Sequence, residues 1–129
     1  MMRDRALSMD GYGIGRYEYY ELKAFCRQYR EKKRKASDIL LVIRSQSQAG
    51  SPVEQMAIKR DRLLRDIQMI ESAATETAGG GWEHALVANC CDGIAYSKID
   101  KTKMPSSNQG AFYHARREFF YRLKLIRSE

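Results

Sequence analysis

Long apolar runs are missing. No stretch of about 18 consecutive apolar residues occurs, so no membrane-spanning helix is expected. The first residues hold no apolar core of the signal-peptide kind, so no secretory leader is expected either. Histidine is scarce: His84 and His114 stand alone, too isolated to share a metal. Cysteine is scarce and odd in number, with Cys26 on its own and Cys90 beside Cys91. Adjacent cysteines rarely bridge each other, and this pair lacks the two-residue gap of zinc ligands. The pattern points to a reducing compartment, the cytoplasm by default, and Cys26 reads as a small buried hydrophobe. No phosphate loop is present: Gly11, Gly13 and Gly15 are followed by no Gly-Lys-Ser/Thr. No enzyme chemistry, metal or cofactor is expected.

What is present is charge. Charged residues make up 30% of the 129 positions, and the net charge is +7. It is unevenly placed. Residues 1–50 hold 11 Lys/Arg against 6 Asp/Glu, residues 51–100 hold 5 against 8, and residues 101–129 hold 7 against 2. Both ends are basic and the middle is acidic. Such a balance points to a polyanionic partner, most simply nucleic acid, with an anionic membrane surface second.

The spacing of apolar residues predicts an all-α fold. Residues 1–15, broken by glycines, are expected to be flexible. Leu22, Phe25, Cys26 and Tyr29 form a helical stripe. A basic block follows, with Arg27, Arg30, Lys32, Lys33, Arg34 and Lys35; it is either a phosphate-contacting face or a solvated helix end. Ile39–Ile43 is β-rich by propensity but has no partner strand, so helix is preferred. Ser45–Gly50 reads as a linker. Ser51-Pro52-Val53-Glu54 predicts a capped helix start. Val53, Met56, Ala57, Leu63, Leu64, Ile67, Ile70 and Ala74 then trace a long stripe that ends near Ala78. That stripe needs a partner, either the first helix or a second copy. Residues 16–78 are therefore expected to form a helical, oligomerising part. Gly79–Gly81 would be a hinge, and residues 82–129 a separate DNA-binding domain.

Within that last part, Trp82–Asp92 predicts a helix ended by Gly93. Ile94–Asp100 predicts a short bracing helix, and Ser106–Arg127 a long one capped by Ser106 or Ser107. Phe112, Ala115, Phe119, Leu123 and Ile126 share the buried stripe of the last helix. Gly110, His114, Arg117 and Tyr121 lie opposite, with Tyr113 and Lys124 on the flank. This order is that of a helix-turn-helix whose final helix reads the major groove of double-stranded DNA. The candidate contacts follow from residue type. Ser106, Ser107, Asn108 and Gln109 lie at the helix N-terminus, where a phosphate or a base edge is bound, and Asn and Gln suit adenine. His114 and Arg117 lie one turn on, Arg117 suiting guanine or phosphate. Lys101, Lys103 and Lys124 suit phosphate, and Tyr96 and Tyr113 either task. Arg116 falls closer to the buried stripe, where an acid is expected to pair with it.

The segments DRLLRDIQMIESA (Asp61–Ala73), ALVANCCDGIAYSKI (Ala85–Ile99) and Pro-Ser-Ser followed by FYHARREFFYRL (Phe112–Leu123) carry a resemblance. They are similar to the sigma-like domains of phage-encoded transcriptional regulators of the ArpU/RinA kind, from phages and prophages of Gram-positive bacteria. YYELKAFCRQY (Tyr19–Tyr29) is similar to the start of related small phage proteins. The resemblance covers about two-thirds of the chain. It implies an all-helical fold, regulation of late phage genes, and bacterial RNA polymerase as a further candidate partner. Gln109 and Gly110 depart from it, because such proteins often carry larger polar or basic groups at the front of the final helix. Two other readings stand beside this one. A small terminase subunit also joins a helix-turn-helix to oligomerising helices. A helical interaction module would use the long stripe and no DNA. A homo-oligomer is expected in the DNA-binding readings.

Overall fold

The structure, a computed structural model, describes residue 9 and residues 11–45 and 51–128. It is all-α, as the apolar spacing predicts, with no strand among the described residues. No described helix is long and apolar enough to cross a membrane.

Helix α1 (Arg16–Arg27) buries Tyr19, Leu22, Phe25 and Cys26 on one face. It stops at Gln28, whose ψ of 0° leaves the helical range. Helix α2 (Tyr29–Ser45) begins at once, so the basic block lies largely on α2 and runs into the Ile39–Ile43 stretch without a break. Helix α3 (Ser51–Glu76) returns antiparallel to α2. Tyr29 donates to Glu71 at 2.5 Å, Lys32 Nζ meets Asp66 at 2.7 Å, and Arg60 Nε donates to the Ala36 carbonyl at 3.0 Å. The expected first helix, here divided into α1 and α2, thus lies against α3 through α2, and the buried Ile67, Ile70 and Ala74 of the α3 stripe share one core with Leu22 of α1 and with Phe119. The linker expected at residues 46–50 and the Ser51 side chain of the expected capping box lie outside the described residues.

The glycines after α3 do not separate two bodies. A 3₁₀ turn (Thr77–Gly79) leads into Gly80 and Gly81, and Gly79, Gly80 and Gly81 all have positive φ. A Cβ on Gly81 would stand 2.8 Å from the Pro105 ring. The glycine is needed for close packing at this point. Helix α4 (Glu83–Leu86) widens into one π turn (Val87–Cys91), which Gly93, at φ +72°, ends as expected. Helix α5 (Gln109–Ser128) lies across the rest.

One core joins both sides of the expected hinge. Tyr19, Leu22 and Cys26 of α1, Ile70, Ala73 and Ala74 of α3, Ala85 and Leu86 of α4, and Phe112, Ala115, Phe119, Phe120 and Leu123 of α5 belong to it. Met9 and Ile14, in the stretch expected to be flexible, are buried there too. Tyr12 packs on Tyr121, their ring centroids 5.7 Å apart.

The bracing helix expected at Ile94–Asp100 is not formed. Ala95 is extended, Tyr96–Lys98 makes a single 3₁₀ turn, and Ile99 and Asp100 are extended again. A second 3₁₀ turn (Lys101–Lys103) follows. The physical reason is local. Only Ile99 is buried and Tyr96 half-buried in this stretch, too little apolar anchorage for a helix so short. Asp100 accepts hydrogen bonds from the Thr102 backbone N–H at 2.9 Å and its hydroxyl at 2.7 Å, which favours the turn.

Candidate nucleic-acid interface

The front of α5 is built by caps and one aromatic clamp. Asn108, not Ser106 or Ser107, is the N-cap: its Oδ1 accepts from the Ala111 backbone N–H at 3.1 Å. Ser106 Oγ accepts from the Asn108 N–H at 3.1 Å, one step earlier. A Cβ on Gly110 would stand 3.1 Å from that capping oxygen, so the glycine leaves room for the cap. Tyr96 holds the whole entry. Its hydroxyl donates to the Ser107 carbonyl at 2.6 Å, and its ring lies 5.0 Å from Phe112 and 6.2 Å from Tyr113. Trp82 closes the other side of Phe112 at 6.3 Å.

Behind this front the helix is divided as its periodicity predicts. Phe112, Ala115, Phe119 and Leu123 are fully buried and Ile126 is half-buried. Ser107, Asn108, Gln109, Gly110 and His114 are exposed; Arg117, Tyr113 and Ser106 are half-buried. His114, Gln109 and Arg117 make no hydrogen bond or ion pair among the described residues. Lys103 and Lys98 are exposed in the connector, and Lys98 is a cation the sequence reading did not select. Its sign and its place two residues past Tyr96 could have marked it.

Two predicted phosphate contacts are engaged inside the chain. Lys101 Nζ donates to the Tyr96 carbonyl at 2.6 Å and the Ile99 carbonyl at 2.8 Å, and it sits 4.3 Å from the Tyr96 ring centre. Lys124 Nζ donates to the Gly13 carbonyl at 2.6 Å and lies 3.6 Å from Glu18. Lys101 closes the connector and Lys124 ties the N-terminal segment to α5. Arg116 is buried, but its partners are not acidic. Nε donates to Asn89 Oδ1 at 2.8 Å and Nη1 to the Tyr19 hydroxyl at 2.9 Å. Of the predicted contacts, Lys103, Ser107, Asn108, Gln109 and His114 stay exposed and Ser106, Tyr113 and Arg117 half-buried, while Lys98 lines a separate cleft.

The thiols lie elsewhere and are quiet. Cys26, Cys90 and Cys91 are buried. A hydrogen bond with Cys91, then burial, raises the Cys26 thiol well above its ordinary range, and burial pushes Cys90 up to about 12. Thiols held protonated in this way are poor nucleophiles and poor ligands. No cluster of metal-ligating side chains occurs among the described residues. A cleft of about 630 Å³ opens between the α2–α3 root and the connector, lined in part by Arg30, Glu71, Glu83, Asp92 and Asp100. Arg30 is held there by two hydrogen bonds to Asp92, at 2.9 and 3.1 Å. Arg30 of the basic block and Lys98 line it, whereas none of the residues expected at the front of α5 does. Comparison with models of known protein families, with curated proteins and with solved structures gave no match.

Proposed function

We propose that this chain binds double-stranded DNA through the front of α5 and regulates transcription of phage genes. One observation carries the reading. The α5 stripe is buried in the core while, on the same helix, Gln109 and His114 are exposed and Arg117 half-exposed, behind an N-terminus whose Asn108 cap is itself exposed. Backbone N–H groups and the helix dipole there favour a phosphate. Gln109 offers an amide to a base edge and Arg117 a guanidinium, either to guanine or to the backbone. Lys103, exposed in the connector that leads into α5, supplies counter-charge to phosphates. The bracing role given to a helix in other such proteins falls here to the connector that Tyr96 and Lys101 hold rigid. Two such fronts in a dimer would address half-sites about 34 Å apart.

Fluorescence polarisation with duplex DNA tests the proposal. Binding is expected at low salt and should weaken steeply as salt rises, because each phosphate contact releases counterions. Arg117→Ala should weaken a selected specific site by about 1–3 kcal/mol. Lys103→Ala should weaken all duplexes alike. Absence of binding at low salt, or equal affinity for wild type and Arg117→Ala, would leave the α5 front without a role. A packaging subunit of the small-terminase kind would bind DNA as well; a ring in native mass spectrometry would favour it over a dimeric regulator.

A further inference from the structure

The outer half of the α2–α3 hairpin carries apolar side chains that the described residues leave exposed. Ile39, Leu40, Leu41, Val42 and Ile43 are consecutive, and on a helix five consecutive residues point in every direction. α3 covers one side only. Ile39, Leu40 and Ile43 are half-buried, while Leu41 is 64% and Val42 44% exposed. A helical turn that is apolar all round belongs inside a structure, not at its edge.

The charges beside this turn indicate what covers it. Asp38 lies three residues before Leu41 and Arg44 three residues after it. Both are exposed, and neither makes a hydrogen bond or ion pair among the described residues. In an antiparallel pairing of two α2 helices about a two-fold centred on Leu41, Asp38 falls at the same height as the partner's Arg44, and the pair repeats on the other side of the axis. A parallel pairing would set like charge beside like. A nucleic acid would satisfy Arg44 but repel Asp38 and leave Leu41 and Val42 wet.

We propose that the outer face of α2 around Leu41 is a self-association surface, occupied by the same face of a second copy running antiparallel. The surface needs no DNA, so its test is independent of the α5 reading. Light scattering and sedimentation without DNA should show a dimer at tens of micromolar, and Leu41→Glu should leave a monomer of unchanged helix content. Asp38→Arg and Arg44→Asp should each raise the dimer Kd more than about tenfold, because each reverses two symmetric contacts at once. The double variant D38R/R44D restores opposite charges and should return the Kd to near that of the wild type. A wild-type monomer at these concentrations, a Leu41→Glu dimer, or a double variant no better than either single one would each overturn the proposal. Circular dichroism of every variant separates loss of association from loss of fold, and Val42→Lys, at a second exposed position, repeats the Leu41 test.

Discussion

Arg116 is the residue on which three parts of the chain converge. It is 8% exposed, and it reaches Asn89 at the π turn and Tyr19 on α1. Its guanidinium lies 5.1 Å from the Phe120 ring centre, so its flat face is covered by an aromatic. No carboxylate pairs with it among the described residues. A charge so placed is held by hydrogen bonds and ring contacts, and removing it takes a donor from the buried Tyr19 and from the half-buried Asn89. Arg116→Ala is expected to cost about 2–4 kcal/mol, from two lost charge-assisted hydrogen bonds and the space left behind. Urea unfolding measures this, and a loss under about 1 kcal/mol would mean that the Tyr19 and Asn89 contacts contribute little. Periodicity placed Arg116 near the buried stripe of α5 but pointed to an acid. Its true partners lie 27 and 97 positions away in the chain, and no local pattern joins such positions.

At the scale of the element, the helices with a wide apolar stripe were legible and the connector was not. Leu22, Phe25 and Cys26 on α1, Ile67, Ile70 and Ala74 on α3, and Phe112, Ala115, Phe119 and Leu123 on α5 are buried where their spacing puts them, whereas Ala57 and Leu64 of the expected α3 stripe are exposed and Ile126 is half-buried. Ile94–Asp100 has a single buried residue, so side-chain hydrogen bonds to the backbone decided its shape. The start of α5 was misplaced for a related reason. Ser106, Ser107 and Asn108 are all good caps, and the choice among them fell to Tyr96, which pins the Ser107 carbonyl from another segment. The Asn108 cap predicts a separable effect. Asn108→Ala should destabilise the fold by about 1 kcal/mol, whereas Asn108→Asp keeps a capping oxygen at the positive helix end and should cost less or nothing. Thermal melts of the two variants would distinguish a cap from a side chain that only faces solvent. If Asn108 also meets DNA, the Asp variant should fold normally and bind more weakly, since its carboxylate repels phosphate.

For the whole molecule, the decisive feature is that the core ignores the glycine run. A boundary at residues 79–81 would require each side to bury its own apolar surface. α5 instead packs on α3, on the Thr77–Gly79 turn and on α1. Glu118 on α5 accepts the Ala78 backbone N–H at 3.0 Å, and the Ala78 N–H, with help from Arg122, holds its carboxyl below the usual range. Composition made the glycines look like a hinge because three in a row usually break structure. The tertiary contact with Pro105 explains Gly81, and the positive φ of Gly79 and Gly80 explains the other two. The C-terminal part therefore should not stand alone. A fragment of residues 82–129 loses Tyr19, Leu22, Ile70 and Ala73, whose burial each contributes about 1–3 kcal/mol, and what remains is too small for a self-sufficient core. It is expected to give a disordered circular-dichroism spectrum and no sharp melt, while the full chain unfolds in one transition. A fragment with native helix content and dispersed amide resonances would restore the two-domain division, and with it the picture of a DNA reader tethered to an independent oligomerising arm. The single core implies a different coupling. Any ligand that orders the α5 front also stabilises α1 and the root of the hairpin, so duplex DNA should raise the melting temperature of the whole chain in one step.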